Sequence, residues 1–145
     1  MKINPATYLL LPALALLPAC SGVRPPVQLA DVRSTALSAT ATELAASMIV
    51  GNPTKSPLTI EGAEYRLYLE GQYIGRGSSD AEVTVPAEDE APQTVTLKVE
   101  DGRSLPLLNR LLAGEALTYR LEGTLTEHGG ASMRVDSEGR LGEAQ

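Results

Sequence analysis

Apolar and polar residues alternate with a period of two along most of this chain, the pattern of strands with one face in a core and the other in water. Leu44, Ala46, Met48 and Val50 share one parity, and the run stops at Gly51-Asn52-Pro53. Leu58 and Ile60 resume it, followed after Glu61-Gly62 by Ala63, Tyr65, Leu67 and Leu69. Glu70-Gly71-Gln72 then reverses the chain into Tyr73-Ile74-Gly75-Arg76-Gly77, which reads as a hairpin. Val83 and Val85 form a short strand closed by Pro86, and Val95, Leu97 and Val99 another closed by Asp101-Gly102. Leu117, Tyr119, Leu121 and Leu125 oppose Thr118, Arg120, Glu122 and Thr124. After the turn Glu127-His128-Gly129-Gly130 comes a last strand with Ala131, Met133 and Val135.

One segment follows a different period. Leu105, Leu108 and Leu112, with Leu107 and Leu111, recur at helical spacing. Ser104 stands where an N-cap belongs, Pro106 falls in the first turn, and Gly114 sits where a helix stops. The segment from Val27 to Ala41 is open between a first strand and loop or helix. These elements predict an all-β fold: an antiparallel β-sandwich of about seven strands, fibronectin-III- or immunoglobulin-like, with one short helix. The sandwich is expected over residues 27–136, and a polar C-terminal tail over 137–145.

The N-terminus belongs to none of this. Lys2 precedes an apolar run from Tyr8 to Leu17, interrupted by Pro12 and followed by Pro18. About ten apolar residues are too few for a hydrocarbon core, which needs roughly twenty. The charged start, apolar middle and small residue before a break are those of a signal peptide, so residues 1–19 are set apart from the fold. Leu17-Pro18-Ala19-Cys20 resembles the lipobox of bacterial lipoproteins, although Pro18 is an unusual occupant. That resemblance implies acylation of Cys20, removal of the leader before it, and a membrane anchor without a transmembrane helix. Ser21, rather than Asp, resembles lipoproteins sent to the outer membrane, which implies its periplasmic face. An ordinary secretory leader cut near Ala19, or an uncleaved segment with Cys20 as an apolar filler, stay open as alternatives. Residues 20–26 read as the acylated cysteine and a short tether ending in Pro25-Pro26.

Composition narrows the function classes. The formal charge is -6, and loss of Lys2 with the leader makes it -7. That acidity argues against nucleic acid or an anionic surface as an electrostatic partner. Cys20 is the only cysteine, so no disulfide forms within the chain, and Phe and Trp are absent from the core. The expected state is a monomeric acidic domain on a lipid leash.

A family resemblance rests on the order of several pieces. An apolar strand ends in Asn52-Pro53, and Pro57-Leu58-Thr59-Ile60-Glu61-Gly62 follows. Then come Tyr65-Arg66-Leu67-Tyr68-Leu69-Glu70-Gly71 and Ile74-Gly75-Arg76-Gly77. Together they resemble the late-embryogenesis-abundant type 2 family, the water-stress and hypersensitive-response domain. The resemblance implies a fibronectin-like sandwich with one helix and a stress-associated, non-catalytic role in desiccation protection. It supplies no catalytic residues. Family members often carry a further Asn after Asn-Pro, where this chain has Thr54. Asn52, Pro53, Gly62, Tyr65, Gly71 and Gly77 are read as structural: an Asn-Pro turn, a core tyrosine, and glycines for turns, bulges or positive φ.

Candidate chemistry is sparse. His128 is the sole histidine, and with no second histidine or spare thiolate it reads as a solvated turn residue, so neither metal nor cofactor is expected. Ser132, His128 and Asp136 lack a nucleophile-elbow sequence. Glu88, Asp89 and Glu90 read as a solvated loop. Tyr65 and Tyr119 share parity with core leucines, whereas Tyr68 lies on the other face with Arg66 and Glu70. The helix Leu105–Leu112 has more leucine than one buried stripe needs, which offers a contact for a lipid or an envelope protein.

Overall fold

Alternation becomes eight strands in the computed structural model, which describes residues 24–37 and 42–142. They are β1 (Val27–Leu37), β2 (Thr42–Asn52), β3 (Leu58–Leu69), β4 (Gln72–Ser79), β5 (Val83–Val85), β6 (Asp89–Val99), β7 (Leu117–Glu127) and β8 (Ser132–Leu141). One helix, α1 (Leu105–Leu112), lies between β6 and β7. Every pairing is antiparallel, in the order β1-β2-β6-β4-β3-β7-β8, with β5 alongside the start of β3. The two end strands come together: Arg24 lies 3.7 Å from Asp136, and the Leu29 N–H donates to the Tyr119 hydroxyl at 3.2 Å. The sheet is thus a sandwich whose halves belong to one nearly closed barrel, which leaves little free edge.

Inward parity follows the pattern closely. Leu44, Ala46, Met48 and Val50 face Tyr65, Leu67, Leu69, Val95, Leu97, Leu117, Leu121 and Leu125 in one buried cluster. Tyr119 also enters it, and its hydroxyl reaches Ser137 at 3.3 Å. The β3–β4 reversal has positive φ at both Glu70 (49°) and Gly71 (78°), the backbone of a two-residue hairpin turn that matches strand twist. Glu70 closes it by accepting the Thr118 N–H at 2.7 Å.

One open reading is settled and two details depart from the expectations. The segment from Val27 is strand as far as Leu37, paired with β2. β6 begins at Asp89, so Asp89 and Glu90 pair with Asn52 and Gly51 rather than forming a loop. The tail expected from residue 137 is instead the second half of β8, with Arg140 paired to Thr118 and Leu141 buried. Gly139 lies within that strand. In the fold the Tyr119 ring fills its side-chain space, with Cε1 2.9 Å from where a Cβ would stand. An aromatic ring across a strand glycine restores the packing that glycine lacks.

The helix closes the barrel end. Leu108 and Leu111 are buried, while Leu105 and Leu112 remain 41% exposed. Ser104 does not cap it: the buried hydroxyl donates to the Tyr73 carbonyl at 3.1 Å, and Asp101 caps the preceding 3-10 turn by accepting the Arg103 N–H. Arg110 grips Glu115 past the helix end and holds that carboxyl below its usual range, chiefly through the hydrogen bond. No helix among the described residues is long and apolar enough to cross a membrane. Cys20, Leu17, Pro18 and Ala19 lie outside the described residues.

Candidate functional site

The Asn52-Pro53 corner spends its polar atoms on the fold. Asn52 Nδ2 donates to the carbonyls of Ser56 (2.8 Å), Val85 (3.1 Å) and Pro86 (3.2 Å). Its Oδ1 accepts the Thr54 N–H at 3.0 Å and the Thr54 hydroxyl at 2.7 Å. One buried side chain therefore ties the β2–β3 corner to the end of β5, and Thr54 completes the corner. Gly62 follows the bulge that interrupts the β3–β7 register after Ile60.

Tyr65 sits deep between Gly77 and Gly123 on the strands that flank it. Its hydroxyl donates to Gln93 Oε1 at 2.7 Å, whereas Gln93 Nε2 is buried without a hydrogen-bond partner. Burial pushes the Tyr65 phenol well above its ordinary value. An unfolded chain releases that proton at the usual tyrosine value of 10.0, so above it the unfolded state binds fewer protons and stability falls as pH rises. Tyr65→Phe should therefore cost about 1–2 kcal/mol at neutral pH through the lost hydrogen bond. It should also flatten the fall in melting temperature between about pH 9 and about pH 11. Tyr73, raised by burial and then by its hydrogen bond to Glu100, stays in both proteins and cancels. Thermal melts across that range check the difference.

Across the outer face runs an open trough of about 1050 Å³. Register places Lys98, Arg76, Arg66, Glu122 and Asp136 in one row over five strands. Arg76 reaches Glu100 at 2.9 Å, and Arg120 stacks 4.3 Å over Tyr68 while lying 3.4 Å from Glu122. Tyr68 also meets Tyr73, with ring centroids 5.5 Å apart. Tyr68 is accordingly half-buried in its own surface cluster.

Three groups that are far apart in sequence meet at the other end of β3. Glu61, Glu82 and His128 bring one ligand atom each within 4.8 Å of one another. His128 Nδ1 pairs with Glu61 Oε1. The imagined Ser132-His128-Asp136 group is not assembled, since His128 engages Glu61 and Asp136 faces Arg24. Glu88 has positive φ and ties the Thr54 carbonyl through its N–H, while Asp89 accepts the Glu90 N–H. No sequence signal could have found the Glu61–Glu82–His128 cluster, because its convergence depends on the pairing of β3 with both β5 and β7.

Comparison with known proteins agrees with this fold. A solution structure from Arabidopsis thaliana is similar at a TM-score of 0.61 and 20% identity, covering 82% of each chain. A crystal structure of a protein from Archaeoglobus fulgidus has a TM-score of 0.47 and 17% identity, covering 81% of this chain and 99% of that one. Among curated protein sequences, none matches. The family described as late embryogenesis abundant protein matches residues 48–139, more than half of the chain, from the middle of β2 to the Gly139 that the Tyr119 ring covers. With that match added to the all-β fold, this chain belongs to the late-embryogenesis-abundant type 2 family.

Proposed function

We propose that this chain is a lipid-anchored, non-catalytic envelope protein that protects its surroundings during desiccation or related stress. The family match carries this reading: it supports a stress-associated protein, and the family and its structural relatives are generally non-enzymatic. The anchor rests on Leu17-Pro18-Ala19-Cys20, and the periplasmic face of the outer membrane on Ser21. The inward-facing polar groups of Asn52, Tyr65 and Ser104 are committed to hydrogen bonds that hold the fold, which suits a protein without a reaction to perform.

A second reading, a binding module, is favoured by the exposure of Leu105 and Leu112. Val27 pairs with Val50 near the end of β2, whereas β6 runs to the helix past Lys98, which pairs with Glu43 at the start of β2. Around the closed side of the barrel, however, Leu29 of β1 reaches Tyr119, two residues into the strand that follows the helix, and α1 lies against β1. The two leucines therefore offer a contact for a lipid or for an envelope protein. The anchor is tested by intact mass and membrane partition of the native protein beside Cys20→Ser. A mature chain starting at acylated Cys20, with partition lost in the variant, supports the reading. An unmodified, freely soluble native product overturns it.

A further inference from the structure

Glu61, Glu82 and His128 converge because of backbone register. Ile60 pairs on one side with Val83 of β5 and on the other with Glu127 of β7. The next position outward on β5 is Glu82, opposite Glu61. On β7 the residue after Glu127 is His128, which lies beside Thr59 and donates its N–H to the Thr59 carbonyl at 2.9 Å, diagonal to Glu61. The β3–β7 register slips between Ile60 and Gly62, so Glu61 is the extra residue of a bulge. Bulges re-aim side chains, and here Ile60 remains fully buried while Glu61 turns outward to the imidazole. Thr59 and Thr84 mark the neighbouring outward pair, their hydroxyls 3.3 Å apart.

Two carboxylates and an imidazole are thereby held with their ligand atoms within 4.8 Å, on three segments. The carboxylates repel one another across that gap unless a cation stands between them. A proton on the imidazole relieves part of the repulsion; a divalent ion coordinated by all three relieves it fully, because two negative charges meet two positive. We propose that Glu61, Glu82 and His128 form a surface site for a divalent transition-metal ion of the zinc class. The imidazole selects zinc or its neighbours over calcium and magnesium, which prefer all-oxygen shells. Three protein ligands leave a fourth tetrahedral position to water. The site lies at the end of β7 remote from the helix.

The test uses the full chain in detergent, free of any metal-binding tag and carrying Cys20→Ser to remove a competing thiolate. Zinc chloride is titrated in while calorimetry follows the heat and NMR follows the imidazole. Since His128 is the only histidine, its ring signals report this site alone. The expected result is saturation at one equivalent with a shift of the His128 ring. His128→Ala, Glu61→Gln and Glu82→Gln should each weaken binding more than about tenfold, the least that loss of even an outer-shell partner produces. Glu64→Gln, on the trough, should leave it unchanged. All four side chains are solvent-exposed, and circular dichroism confirms that each variant is folded. The proposal is overturned if zinc leaves the His128 signals unmoved, or if binding survives loss of His128 or of either carboxylate.

Discussion

Gly75→Ala should remove about 3 kcal/mol or more of stability. Gly75 is buried between Leu67 and Val99, where β4 pairs with β6. A Cβ there would stand 2.0 Å from the Lys98 carbonyl oxygen and 2.9 Å from its carbon. Both are backbone atoms of a paired strand, so relief requires pulling β6 from β4. Gly77 repeats the situation against Thr96, at 2.2 Å. Gly102→Ala is the control, since nothing lies within 4 Å of that position and its φ is not positive. Urea unfolding followed by circular dichroism should show a large shift for Gly75→Ala and almost none for Gly102→Ala.

Asn52→Ala should cost about 2–4 kcal/mol, because it strands several buried backbone groups at once. Asn52 is 2% exposed and serves three carbonyls through Nδ2 and Thr54 through Oδ1. Asn52→Asp sharpens the expectation. It keeps acceptors for Thr54 but turns a carboxylate toward the carbonyls of Ser56, Val85 and Pro86, so it should be worse than alanine. Thr54→Ala, which loses one hydroxyl, should be milder than either. The same unfolding series ranks them, and an Asp variant as stable as the parent would mean that Nδ2 does not hold the corner.

These two sites show what the sequence made legible. Parity alone located the inward faces, because a period of two admits only one assignment once Leu44 to Val50 or Leu117 to Leu121 is buried. The Glu70-Gly71 reversal and the Leu-rich helix were equally local signals, and the family motif pointed to Asn52 and Tyr65. Strand order was not legible: β2 pairs with β6 and β4 with β6, and nothing local records such distant partners. The second half of β8 was lost for a related reason, since Gly139 is tolerated only because a tyrosine twenty residues earlier covers it. Ser104 read as a cap because its neighbours look like a helix start, yet its hydroxyl found a better acceptor in Tyr73. The site at Glu61, Glu82 and His128 is the extreme case. Its three residues carry no common motif and meet only through a bulge and two registers.

The most direct test of the central claim is survival of drying. Cells lacking this chain are compared with cells supplied with the natural chain or with Cys20→Ser at equal abundance. Survival after drying and rehydration should fall in the deletion, return with the natural chain, and return poorly with Cys20→Ser, which on the proposed anchoring releases the domain from the membrane. If the deletion dries and revives as well as its parent, protection is not what this protein provides.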